Sequence, residues 1–240
     1  MEVKKISLLN KTIFLFRNKK HVTEYLATND RGILISLNVE AMASKDPEFT
    51  RIINQHIGYI DGVGLLLPLR LKGHVSLQKI PGVELWQEVI RSFPNKKVFM
   101  IGATEQVICT VADKFKRDFP NPLLGYRNGF FPSAEDMAQL REEITDLRPD
   151  IVLIALGQPR QEKLAEELMA LNPALYICIG GSFDIYAGIK NRAPRLLIAI
   201  GAEWAYRLYK EPWRFTRIFK SLNVIPRMIL AKKRNITVTG

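Results

Sequence analysis

Short apolar runs rich in β-branched residues recur along this chain, and segments with helical patterning fill the intervals between them. This alternation constrains the fold more than any other feature, because repeated strand and helix units bury their apolar sides best in a layered α/β arrangement. A Rossmann-like, mainly parallel sheet flanked by helices is therefore expected. Strands are predicted at 33–37, near 58–60, and at 98–101, 123–126, 151–156 and 175–179, with a short edge hairpin within residues 3–16. Helices are predicted at about 20–28, 46–55, 82–92, 105–118, 134–147, 160–171 and 195–210. "RPDIVLIALG" has the continuous apolar character of a strand covered on both faces, and it ends on Gly157 where the chain turns into a helix. Ser133 in "SAEDMAQLREEI" offers an N-cap, followed by acidic residues in the first turn, where the helix dipole favours them.

Ligands of doubly wound sheets collect at the carboxyl ends of the strands. The segments "SLNVE", "DGVG", "GAT", "NGFF", "GQPRQE" and "GGSFDIYAG" are thus where function is sought. Glycines there let backbone amides approach an anionic or planar ligand, although ordinary βα turns account for them slightly better on their own. A dinucleotide fingerprint is absent, since "GVGLLL" lacks the third glycine and "GATEQV" lacks the pattern. Asp61 in "GYIDGVG" has two readings: an Asp-Gly turn, the commoner one, or a carboxylate held at a strand end for proton transfer. In "GQPRQE", Pro159 fixes the backbone near a helix start, so that Gln161 and Glu162 fall in the first turn. A glutamate there is often only a dipole partner, whereas Gln161 offers a nucleotide or sugar both a donor and an acceptor.

Charge is distributed unevenly. The chain carries a formal net charge of +11, and between Lys190 and Arg234 twelve basic residues meet only two acidic ones, Glu203 and Glu211. A near-neutral body, residues 1–190, is followed by a basic helical appendage, residues 191–240, and such asymmetry predicts an anionic partner. Pro212 and Pro226 are expected to break the appendage into short helices, with Trp204 and Tyr206 packing it. Arg207, Lys210, Arg214 and Arg217 are spaced to share a helical face, with apolar residues between them, which suits an anionic membrane surface and a diphosphate head group. Two other readings compete: a nucleic-acid-binding protein whose tail tracks phosphates, and a nucleotide-dependent enzyme acting on a soluble substrate. The first leaves the polar strand-end loops unexplained.

Several classes are set aside. No apolar run approaches the roughly 18 residues of a membrane span, and no cleavable leader is expected from the N-terminus. Cys109 and Cys178 read as core thiols, with a disulfide between them as the lesser alternative. His21, His56 and His74 lack metal-ligand spacing, and no Asp-x-Asp pair is present to hold a divalent ion against a diphosphate.

"IDGVG", "GFF", "LGQPRQE", "GGSFDIYAG", "NRAP" and "EWAYRLYKEPWRFTR" occur in the order and approximate spacing of the WecG/TagA/CpsF glycosyltransferases, and from about Ile33 to Arg217 the chain resembles that family. Asn191 stands where the family commonly has lysine, and "KIPGVEL", residues 79–85, stands where it more usually has Arg-x-x-Gly-x-Asp-Leu. The resemblance implies an inverting, metal-independent transferase with no cofactor, moving sugar from a UDP-sugar to a polyprenyl-diphosphate-linked acceptor in the assembly of a surface polymer. It implies a peripheral enzyme at the cytoplasmic face of the plasma membrane, with nucleic acid not a partner and a homo-oligomer compatible. Asp61 matches the family's proposed catalytic base. Ser36, which keeps the hydroxyl of the threonine frequent in relatives, falls in the donor site with Asn38, Gln161 and Asp184, and Gly102 of "GAT" is placed with them. Arg192, Arg207, Arg214 and Arg217 are assigned to the acceptor. For Asp184 a helix cap is the competing role.

Overall fold

The computed structural model describes residues 3–199, 202–212, 221–232 and 234–236. Six parallel strands form its centre: β3 (Gly32–Leu37), β4 (Ile57–Ile60), β5 (Val98–Gly102), β6 (Leu123–Arg127), β7 (Ile151–Ala155) and β8 (Leu175–Cys178). Their order across the sheet is β4-β3-β8-β7-β5-β6. Successive side chains of a strand point to opposite faces, and the core accordingly divides in two. Ile35, Phe99, Val152, Ile154 and Tyr176 face one layer, while Leu34, Met100, Leu153 and Ile177 face the other. This two-sided burial is why the central strands read as continuous apolar runs.

The first layer contains α3 (Pro47–Gln55), α7 (Ala134–Leu147) and α8 (Arg160–Leu171). The second contains α1 (Lys19–Leu26), α5 (Gly82–Ser92), α6 (Glu105–Asp118) and α9 (Ser182–Tyr186). Local chemistry sets several helix starts: Asn18 and Asp46 cap α1 and α3, and Ser133 with Asp136 forms a capping box on α7. Trp86 of α5 is fully buried beside Phe119, Phe183 and Tyr186.

Pairs of adjacent strands diverge at their carboxyl ends. The chain leaves β5 toward α6 in the second layer and β7 toward α8 in the first. Likewise β3 leads to α2 (Val39–Ala43) and α3, on the first side, whereas its neighbour β8 leads to α9 on the second. Such divergence opens a crevice beyond the strand ends.

Some predicted elements take another form. "GVGLLLPLRL" is a helix, α4 (Val63–Leu71), although its glycines and Pro68 oppose helix locally; burial of Leu65, Leu66 and Leu69 outweighs them. Of the helix predicted over 195–210, the described residues form α10 (Arg195–Ala199) and α11 (Glu203–Lys210), with Ala202 in a turn. Pro226 lies inside α12 (Val224–Leu230), in its first turn, where a missing amide hydrogen costs no helical bond. The predicted hairpin is present as β1 (Lys5–Leu8) and β2 (Lys11–Phe14), and β9 (Arg234–Ile236) adds to it antiparallel to β1. Cys178 is buried, but Cys109 is partly exposed on α6, and both are free thiols. Trp204 is 53% exposed instead of packed.

Candidate active site

Asp61 stands at the carboxyl end of β4, and the strand register explains where it points. β3 and β4 pair with Ser36 opposite Tyr59, so Ser36, Tyr59 and the next residue but one, Asp61, share the second face. The Asp61 amide extends the ladder by donating to the Leu37 carbonyl at 2.9 Å. Its carboxylate oxygen Oδ2 then accepts from Ser36 Oγ at 3.0 Å and from the Gly82 amide at 3.4 Å. That amide belongs to the first turn of α5, where donors lack helical partners and the dipole favours negative charge.

Gly82 is required by this geometry. A Cβ on it would lie 2.8 Å from Tyr59 Oη and 3.5 Å from Asp61 Oδ2. The two glycines after Asp61 differ from each other. Gly62 has φ +103 with open space around it, whereas a Cβ on Gly64 would meet Val39 Cγ2 at 2.3 Å. Only the first has open space beside it; the second lets α4 close against the start of α2.

On the other side of the β3–β8 opening, the "GQPRQE" turn is tied to Ser36 and to the loop after β8. Gln158 Nε2 donates to the Ser36 carbonyl at 2.6 Å. Gln161, 2% exposed, accepts through one oxygen from the Gly157 amide at 3.2 Å and the Gly180 amide at 3.0 Å. Its Nε2 donates to Glu162 Oε1 at 2.8 Å. The side chain thus joins the loops after β7 and β8 from beneath, and its polar atoms are engaged with protein. A cavity of about 340 Å³ lies beside Gln158, lined also by Glu40, Ala41, Ser44 and Phe49.

Glu162 is a site feature whose burial the sequence did not disclose. It is 0% exposed, and its Oε2 has no hydrogen-bond partner. Burial pushes its pKa up to about 7, against the opposing hydrogen bonds of Gln161, its own backbone and Gln158. A raised carboxylate pKa means that the folded state holds a proton the unfolded state has released. The resulting stabilisation is full below the ordinary value of 4.5 and is lost as pH rises through about 7. Between pH 6 and 8 the loss amounts to about 1 kcal/mol, or roughly 3 °C in Tm. Glu162→Gln is expected to flatten that part of the Tm curve in thermal melts; parallel curves for variant and wild type would place the proton elsewhere.

The other predicted residues are distributed around this centre. Asn38 follows β3 directly, and its side-chain oxygen caps α2 by accepting from the Ala41 amide at 2.9 Å. Gly102 ends β5, at the other crevice, with φ +133, and a Cβ there would lie 2.5 Å from the Ala155 carbonyl oxygen. Asp184, in the first turn of α9, pairs with Lys190 at 3.1 Å, and Lys190 reaches on to Glu211 at 3.0 Å; α9 has no side-chain cap. Arg192 pairs with Glu84 of α5, two residues beyond Gly82, and Lys19 bonds the same carboxylate at 2.7 Å. Burial raises Glu84, but these two cations outweigh it and hold its pKa below the usual range. Lys79 pairs with Glu203 at 2.6 Å. The two positions where "KIPGVEL" departs from the usual motif are therefore both ion-paired, and each pairing joins the body to the segment after 190. Arg207 belongs to α11, while Arg214 and Arg217 lie outside the described residues.

A parallel sheet covered by helices, with a carboxylate held over a strand-end crevice by a hydroxyl and a helix amide, defines an α/β enzyme of Rossmann-like architecture. Residues 12–237 match the model of the glycosyl transferase WecG/TagA/CpsF family. The chain belongs to this family and is a glycosyltransferase. It is 30% identical over 233 residues to the N-acetylglucosaminyldiphosphoundecaprenol N-acetyl-beta-D-mannosaminyltransferase of Bacillus subtilis (strain 168), covering 94% of this chain and 88% of the relative. To the enzyme of the same name from Bacillus spizizenii W23 it is 31% identical over 216 residues, covering 87% and 81%.

Proposed function

We propose that this glycosyltransferase moves one sugar, N-acetylmannosamine by analogy with its named relatives, from a UDP-sugar to a polyprenyl-diphosphate-linked N-acetylglucosamine, in the assembly of a bacterial surface polymer. The observation that carries the reading is the placement of Asp61, whose carboxylate is oriented by Ser36 and Gly82 at the end of β4. In the reaction an Asp61 oxygen takes the proton of the acceptor hydroxyl as that oxygen forms a bond to the anomeric carbon. The bond from the anomeric carbon to the donor diphosphate breaks, and its electron pair leaves on UDP. Attack opposite the leaving group inverts the anomeric configuration. We read the transfer as metal-independent, on the sequence's lack of an Asp-x-Asp pair.

The donor lies, in this reading, across the β3–β8 opening, near Ser36, Asn38, the Gln161-bridged glycine amides and Asp184, with Gly102 at the neighbouring crevice. Arg192, Arg207, Arg214 and Arg217 meet the acceptor diphosphate, since guanidinium forks bind phosphate oxygens in pairs. No helix among the described residues is long and apolar enough to cross a membrane, and the proposed position is peripheral, at the cytoplasmic face. The test is transfer from a panel of UDP-sugars to a synthetic short-chain polyprenyl-diphosphate-linked N-acetylglucosamine, with the product's anomeric configuration read by NMR. UDP-N-acetylmannosamine is expected to give an inverted, lipid-linked disaccharide. Retention at the anomeric carbon would overturn the single-displacement mechanism, and absence of transfer from every donor would overturn the reading.

A further inference from the structure

Helix α4 begins two residues after Asp61 and is apolar nearly all round. Its inward side chains, Leu65, Leu66 and Leu69, belong to the core. Its outward ones do not retreat from solvent: Leu67 is 55% exposed, Leu71 64%, and Val75 just beyond the helix 74%. Single exposed leucines are ordinary, but an apolar outer stripe on a helix whose other side already fills the core is not explained by folding.

Beside it lies α12, contributed from far along the chain. Val224 and Met228 enter the same core cluster as Leu65 and Leu69. Lys72 Nζ, at the end of α4, donates to the carbonyls of Ile229 and Ala231 at 2.7 and 2.6 Å, tying the two helix ends together. On its outer side α12 exposes Leu230, 83%, with Ile229 and Arg227, and Lys232 is exposed just beyond its end. The two segments share a charge pattern. From Gly62 to Val83, and again from Pro212 to Gly240, the sequence contains no aspartate or glutamate. Arg70 adds a further exposed cation on α4.

We propose that α4 of the core and α12 together form one membrane-docking face, whose leucines enter the interfacial region of an anionic bilayer while the flanking arginines and lysines meet its head groups. This rests on the reading of the acceptor as lipid-linked, and it assigns half of the contact to a core helix outside the basic C-terminal segment. The occupant is a bilayer because the face joins apolar tips to arginines and lysines on two segments that contain no aspartate or glutamate of their own, the combination that favours interfacial binding to negatively charged lipid. Since α4 starts beside Asp61, docking along it holds the carboxylate near the plane where a lipid diphosphate lies.

Point substitution is the suitable test, because truncation before α12 would also strip β9 from β1 and bare the inner side of α4. The full chain and a Leu67→Glu, Leu71→Glu variant are sedimented with vesicles of phosphatidylcholine containing phosphatidylglycerol, at low and high salt. The wild type is expected to bind, and to release in salt. The variant is expected to bind at least tenfold more weakly, with unchanged Tm and unchanged transfer to a short-chain, water-soluble acceptor. Equal vesicle binding by variant and wild type would overturn the proposal. So would vesicle binding that persists while the variant loses self-association in a sizing experiment, which would make the face a contact between copies of this chain. A wild type that transfers sugar to the soluble acceptor but ignores vesicles overturns the docking face alone. Vesicle binding without transfer to any acceptor supports the face and overturns the function proposed above.

Discussion

Asp61→Asn is expected to lower turnover by about a hundredfold to ten-thousandfold while the donor still binds and the fold persists, the range seen when a general base is removed. Asparagine keeps the side-chain shape and one carbonyl-type oxygen, which Ser36 Oγ and the Gly82 amide can still bond. What it loses is the capacity to accept the acceptor's proton. If the residue served only the turn into α4, asparagine would be tolerated equally well there and activity would stay close to wild type. Sugar transfer, UDP affinity and Tm measured on the same preparation separate the two roles. Near-normal transfer by the folded variant would remove Asp61 from the mechanism.

Gly102→Ala is expected to act on stability, by about 3 kcal/mol or more. Two costs combine there: a φ of +133 that L side chains rarely adopt, and a Cβ 2.5 Å from the Ala155 carbonyl oxygen on the neighbouring strand. β5 and β7 pair along their whole length, through Gly102 opposite Ala155, so the clash cannot be relieved without moving a central strand. For a domain of this size the Tm should fall by roughly 10 °C. An unchanged Tm with weakened UDP-sugar binding would instead show that this glycine serves mainly the ligand.

Gly102 illustrates how far local sequence reaches. That a glycine stands at a strand end is evident from "GAT"; that it is needed for the approach of β7 follows only once β5 and β7 are neighbours. The helices at 82–92, 105–118, 134–147 and 160–171 were legible because apolar periodicity is written within each segment, with the Ser133 cap beside one of them. Helix α4 was not, since Gly62, Gly64 and Pro68 all speak locally against it. Its stabilisation comes from Leu65, Leu66 and Leu69 entering a core assembled from distant elements.

The site divides in the same way. Asp61 and Gln161 were reachable from motifs, but that Gln161 joins the Gly157 and Gly180 amides was not, because those glycines lie in loops that only the strand order brings together. Glu162 looked like a first-turn dipole partner; its burial, and with it the carboxyl proton near neutrality, depends on what packs over α8.

By itself, then, the sequence determined the alternating strands and helices, the carboxylate in "IDGVG" and the basic charge gathered after residue 190, because each is a property of a short stretch. Only the tertiary structure decided that Ser36 and Gly82 would hold Asp61, that Lys79 and Glu84 would be paired from beyond residue 190, and that the leucines of α4 would face outward beside α12. Those contacts join residues remote in the chain. They arise from strand order and register, which place β3 between β4 and β8, and no local pattern encodes that order.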